Sequence, residues 1–186
     1  MPAPITEEQA RLDREVLLDA AEALFYERGI QAVGMDEVRS ASGLALKRIY
    51  RTFAAKEDLV VAVLRRRDER WRADMTAHVE QIGEPRERLL KVFDWLAEWF
   101  AQPAFRGCAW INAYGELGST SDAVLNEVRT HKYVFHQQLS GWASAAGATP
   151  TEPICLLAEG AIVTAAITGT PEPARHARAA VEVLVP

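Results

Sequence analysis

Apolar positions along the chain recur at three- and four-residue intervals almost from end to end. That is the period of helices with one buried face; no sustained two-residue alternation between hairpin turns is present, so strands are not expected. Leu12, Val16, Ala20 and Leu24 form a stripe behind a Thr6/Gln9 capping pair, predicting a first helix that stops near Gly29. Gly34 with Glu37 opens a short second helix, Gly43 breaks it, and a third spans about 45–53. A fourth starts at Ala55-Lys56-Glu57-Asp58, where acids suit the helix dipole, and runs to about Ile82 ahead of Gly83 and Pro85. The fifth, Pro85 to about Gln102, is apolar at Leu89, Val92, Phe93, Trp95, Leu96, Trp99 and Phe100 and should be central. A sixth covers about 107–117, and a seventh opens at Ser119 or Ser121 with Val128, Phe135, Leu139 and Trp142 at helical spacing. Thr149-Pro150-Thr151-Glu152 and Thr170-Pro171 open the eighth and ninth. About nine helices with short connections predict an all-α protein.

Composition narrows the setting. Apolar residues at 49% are enough to form a core, so disorder is not expected. Two cysteines, Cys108 and Cys155, cannot build a disulfide framework and fit a reducing cytoplasm. The opening MPAPITEEQARLDRE has no apolar core, so no export signal is expected, and the weakly polar run 160–171 is too short to cross a bilayer. A cytoplasmic protein with no membrane partner follows.

The net charge of -5 conceals an asymmetry. Residues 1–38 carry nine acids and three bases, whereas 39–56 carry five bases (Arg39, Lys47, Arg48, Arg51, Lys56) and no acid. A solvated positive face would explain that island on charge alone. The island coincides, however, with two short helices joined at Gly43, a helix-turn-helix pattern over about 34–53. Val38, Leu44, Ile49 and Phe53 should pack on the first helix, leaving Ala45, Leu46, Lys47, Arg48, Tyr50 and Arg51 to face a groove.

The stretches LLDAAEALFYERG, DEVRSASGL and IYRTFAAKEDL resemble the N-terminal domain of the tetracycline-repressor (TetR) family of transcriptional regulators. The matching positions include Ala21, Phe25, Gly29, Val38, Gly43, Leu44, Ile49, Tyr50, Phe53, Lys56, Glu57 and Leu59. The resemblance implies a three-helix DNA-binding domain over 1–56 and a helical bundle over 57–186 for ligand binding and dimerisation. It implies a homodimer on a palindromic double-stranded DNA operator, a repressor released by a small apolar or aromatic ligand. Tyr50 and Lys56 would touch phosphate, and Lys47, Arg48 and Arg51 bases or phosphate. Ala45 and Leu46 could meet thymine methyl groups. The chain departs from the family at Gly34, Arg39, Ser42, Ala45, Leu46 and Lys47, so the operator does not follow from relatives. The alternative reading is a small-molecule-binding module without specific DNA recognition, supported by the missing caps at Gly34 and Ala45.

Ten of fifteen aromatic residues lie between Phe93 and Trp142, which is either a filled core or the wall of a cavity. Trp95, Trp99, Trp110, Asn112, Tyr114 and His131 are the candidate ligand-binding set. Cys108, Asn112 and Glu116 make a polar stripe on the sixth helix. On the eighth, Ala158, Ala161, Ala165 and Gly169 make a small-residue face that, with Val181 and Leu184, is the candidate dimer seam. His131 and His136 lie about 140° apart on a helix and cannot share a metal from one face. Neither a nucleophile elbow nor a phosphate loop is present, so no catalytic residue, metal or cofactor is expected.

Overall fold

The computed structural model describes residues 6–186; the first five, part of the segment read as lacking an export signal, lie outside them. Among the described residues there are nine helices and no strand. They are α1 (Glu7–Arg28), α2 (Met35–Ser42), α3 (Leu46–Thr52), α4 (Lys56–Val79), α5 (Pro85–Phe100), α6 (Ala109–Leu117), α7 (Asp122–Ala145), α8 (Glu152–Thr168) and α9 (Glu172–Leu184). No helix among them is long and apolar enough to cross a membrane.

The chain packs into two compact units. The first holds the described residues through Arg67 together with Ala109–Val128; the second holds Asp68–Cys108 and Arg129–Pro186. The helices α4 and α7 each supply residues to both. This division by packing is discontinuous in sequence, with 57–67 and 109–128 grouping with the helix-turn-helix.

In the first unit, Thr6 caps α1 by accepting from Gln9 N at 3.1 Å. The buried stripe of α1 is Asp13, Leu17, Leu18, Ala21 and Phe25. The expected stripe is therefore one position out of phase: Leu12 and Val16 are exposed, and Ala20 and Leu24 are half-buried. Both stripes are apolar at four-residue spacing and lie about 100° apart. An aspartate at the head of the true one disguised it. Val38, Ile49 and Phe53 are buried as expected, while Leu44 is half-buried. Gly43 ends α2 in the left-handed region (φ 67°), a conformation most side chains resist, and so sets the turn into α3. Arg66 of α4 reaches Glu15, Asp19 and Glu22 of α1 at 2.9–3.1 Å, and Arg67 lies 3.9 Å over the Tyr26 ring while pairing with Glu22. These contacts fasten α4 along α1.

In the second unit, α5, α8 and α9 pack on one another. Eight of the sixteen residues of α5 are buried, which makes it the central helix its pattern announces. The proposed seam on α8 needs correction. Ala158, Ala161 and Ala165 are buried within the protomer, as is Val181 of α9, because their small size is what lets α8 lie close to its neighbours. The face of α8 left outside carries Leu156, Val163 and Ile167, exposed at intervals of seven and four, and α9 adds Val183 and Leu184.

Candidate nucleic-acid interface

The outer face of α3 is built from the inside. Ile49 is wholly buried and Phe53 nearly so, which fixes the helix by one edge and turns the other outward. Ala45, Leu46, Lys47, Tyr50 and Arg51 are exposed, and Arg48 is one-third exposed. Leu46 and Tyr50 stand at 40% and 46% exposure, apolar bulk left in water between cations. Lys47 has no ion-pair partner among the described residues. Gly34 and Ala45 begin α2 and α3 without a side-chain cap, as the sequence indicates, although Glu37 Oε2 accepts from Gly34 N at 2.9 Å. That bond, with Arg28 second, holds the Glu37 carboxyl below its usual value.

Three of the expected contact residues already have partners. Arg48 donates from Nε (2.8 Å) and Nη2 to the two carboxylate oxygens of Asp13, which is only 2% exposed and also accepts from Gln9 Nε2 at 3.0 Å. The hydrogen bond from Arg48 holds the Asp13 carboxyl below the ordinary aspartate value. Arg51 Nη2 stands 3.8 Å from the same group. Lys56 Nζ donates to Ile30 O at 2.5 Å and lies 5.7 Å over the Phe25 ring. Burial pushes its ammonium down from the usual lysine value, with Glu116 and Glu37 acting to restore it. Sequence reasoning missed Asp13 altogether; the signal was an acid four residues ahead of Leu17 and eight ahead of Ala21 in a buried stripe.

The six candidate ligand residues fall into both units. Trp95, Trp99 and His131 are buried in the second and converge on Trp71, with ring centroids 5.2, 5.4 and 5.6 Å away, and Phe135 adds a fourth contact at 5.2 Å. Trp71 was not singled out, although Trp71, Met75 and Val79 recur every four residues on α4 and are all buried. His131 Nδ1 lies 2.6 Å from Asp68 Oδ1; burial lowers the imidazole's pKa below its ordinary value. Burial also works to raise Asp68, but hydrogen bonds from His131 and Arg72 outweigh it. Trp110, Asn112 and Tyr114 belong to the first unit, Trp110 buried and the other two exposed.

The polar stripe of the sixth helix also separates. Cys108 precedes α6 and is buried in the second unit. Asn112 lines a cleft of about 30 Å³ with Phe25, Tyr26, Ile30, Val63 and Leu64, room for a water or two. Glu116 accepts from the backbone amides of Ile30 (2.9 Å) and Gln31 (2.6 Å), 86 and 85 residues away.

Three buried-edged helices, with a cation-bearing α3 turned outward after a glycine turn, define a helix-turn-helix protein. Residues 17–63 match the family model described as bacterial regulatory proteins, tetR family. An HTH-type transcriptional regulator of Mycobacterium tuberculosis is 34% identical over 82 residues, 44% of this chain and 41% of that protein. The HTH-type transcriptional regulator BetI of Rhizobium meliloti is 31% identical over 106 residues, 55% and 51% of the two chains. The chain thus spans about two fifths to one half of the length of these curated relatives. A TetR-family transcriptional regulator from Streptomyces coelicolor superposes with a TM-score of 0.85 at 26% identity, covering 92% of this chain and 93% of that one. The chain is thus similar to TetR-family regulatory proteins, in sequence over residues 17–63 and in fold over nearly its whole length.

Proposed function

We propose that the protein is a DNA-binding transcriptional regulator working in the cytoplasm as a homodimer, a repressor that leaves a palindromic operator when a small apolar ligand binds. The exposed face of α3 carries this reading: Lys47 and Arg51 bring charge, Tyr50 a hydroxyl, and Ala45 and Leu46 apolar surface suited to thymine methyls. Lys56 keeps two ammonium protons for a phosphate beyond its bond to Ile30. Ligand would act at the Trp95, Trp99 and His131 cluster and shift α4. It must favour one conformation over the other to do so. The protein would carry out no catalysis.

Binding selection on randomised DNA tests the reading. Wild type should enrich a palindrome with half-site centres about one helical turn apart. Lys56→Ala should weaken binding to all sequences alike and reduce the salt slope by about one, whereas Lys47→Ala should relax preference at one position in each half-site. A reversal of these two results would reverse the roles. The uncapped starts of α2 and α3 favour the second reading, a ligand-binding module without DNA recognition; absence of DNA binding at low salt would establish it.

A further inference from the structure

We propose that Asp13 is a positioning residue for base recognition: its buried carboxylate orients the Arg48 guanidinium so that the opposite edge of that group reads a guanine. The inference rests on the DNA-binding reading above. A guanidinium has five N–H donors in one plane. Asp13 takes one from Nε and one from Nη2, both on the same side of the group. Of the three that remain, one on Nη1 and one on Nη2 form the forked edge that matches O6 and N7 of guanine in the major groove. Arg48 has no other side-chain partner among the described residues, and its side chain is one-third exposed, so that edge is accessible.

Position and rigidity favour a base over a phosphate. Arg48 is the third residue of α3, at the N-terminal end of the helix, the part that reaches base edges in helix-turn-helix proteins. Asp13 is itself fixed by Gln9 Nε2 and by its burial on α1. A guanidinium clamped before DNA arrives loses less freedom on binding than a free one, and its orientation is set in advance. The same carboxylate offsets charge on Arg48 and Arg51, weakening their attraction to phosphates of any sequence. Asp13, at 2% exposure, has no route to DNA of its own and acts through Arg48.

Binding selection on randomised DNA with wild type, Asp13→Asn, Arg48→Ala and the double variant tests this. Arg48→Ala should lose preference for one guanine in each half-site by roughly ten- to a hundredfold. Asp13→Asn should lose preference at the same base pair, and the double variant should do no worse than Arg48→Ala. A merely structural Asp13 would lower affinity for every sequence and leave the preference intact. That result overturns the proposal, as do losses that add in the double variant, or an Arg48→Ala that keeps the wild-type preference. Should Asp13→Asn fail to fold, Arg48→Lys carries the test: it preserves a countercharge for Asp13 but has no second edge. Full retention of the guanine preference by the lysine variant overturns the proposal. Failure of the DNA-binding reading looks different, because wild type itself would then enrich no palindrome.

Discussion

Glu116 holds two loop amides that have no helix to serve them. Ile30 is 6% exposed, so its N–H has little access to water if the carboxylate is removed. Bonds to an ionised acceptor contribute about 1.5–3 kcal/mol, and a buried donor left unpaired costs about 1–3 kcal/mol. Glu116→Ala should therefore lower the unfolding free energy by about 2–3 kcal/mol in urea titration, with faster hydrogen exchange at the Ile30 amide. Glu116→Gln, which retains one acceptor oxygen, should lose less. Gly29 belongs to the same device: its φ of 91° disfavours any side chain, and a Cβ there would stand 3.3 Å from Glu116 Oε1. None of this was legible in sequence. In the sequence Glu116 is one member of a polar stripe on an apolar helix, and its partners lie more than eighty residues away.

Among the elements, those governed by local chemistry were readable and those governed by partners were not. The turn at Gly43, the cap at Thr6 and the stop before Pro85 depend on residues within a few positions, and the nine helices follow from them. Which stripe of α1 faces inward depends on α3 and α4, and so the phase was missed by one residue. The exposure of α3 was legible because its buried residues, Ile49 and Phe53, are large and its outer ones charged; the bond between Arg48 and Asp13 was not. On α8 the small residues were recognised, but their packing is internal. The outward Leu156, Val163 and Ile167, with Val183 of α9, are the surface that a second copy would cover. Ile167→Glu together with Val183→Glu should give monomers in sedimentation, with little change in the melting temperature of the protomer. Ala161→Arg should instead unfold the protein by forcing a long charged chain into a filled site. A dimer that survives the double glutamate variant would place the interface elsewhere.

At the scale of the whole molecule, pH acts on a buried histidine. Burial favours neutral His131, whereas the unfolded chain takes up a proton near pH 6.5. The unfolded state therefore binds more protons below that value, so this contribution is present above about pH 6.5 and declines as the pH falls through it. Asp68, whose carboxyl sits below its ordinary 3.8, keeps its contribution over the same range and loses it only in stronger acid. The melting temperature should fall between pH 7.5 and 5.5, and His131→Gln should flatten that slope.

The first unit is also a matter of timing. A chain leaves the ribosome from its N-terminus, so α1 to α3 emerge well before Glu116, Ser121 and Glu127. Until those residues appear, the amides of Ile30 and Gln31, the Glu57 carboxylate that accepts from Ser121, and the Arg65 guanidinium that pairs with Glu127 have no partners. At ordinary rates of translation the interval from Arg67 to Glu116 lasts roughly 2–10 s. A nascent chain, or one terminated before Glu116, thus carries α3 on an unfinished support. If α3 binds DNA as proposed, products terminated before Glu116 would be poor competitors for the sites of the complete protein, and nonsense mutations ahead of Glu116 should show no dominant phenotype.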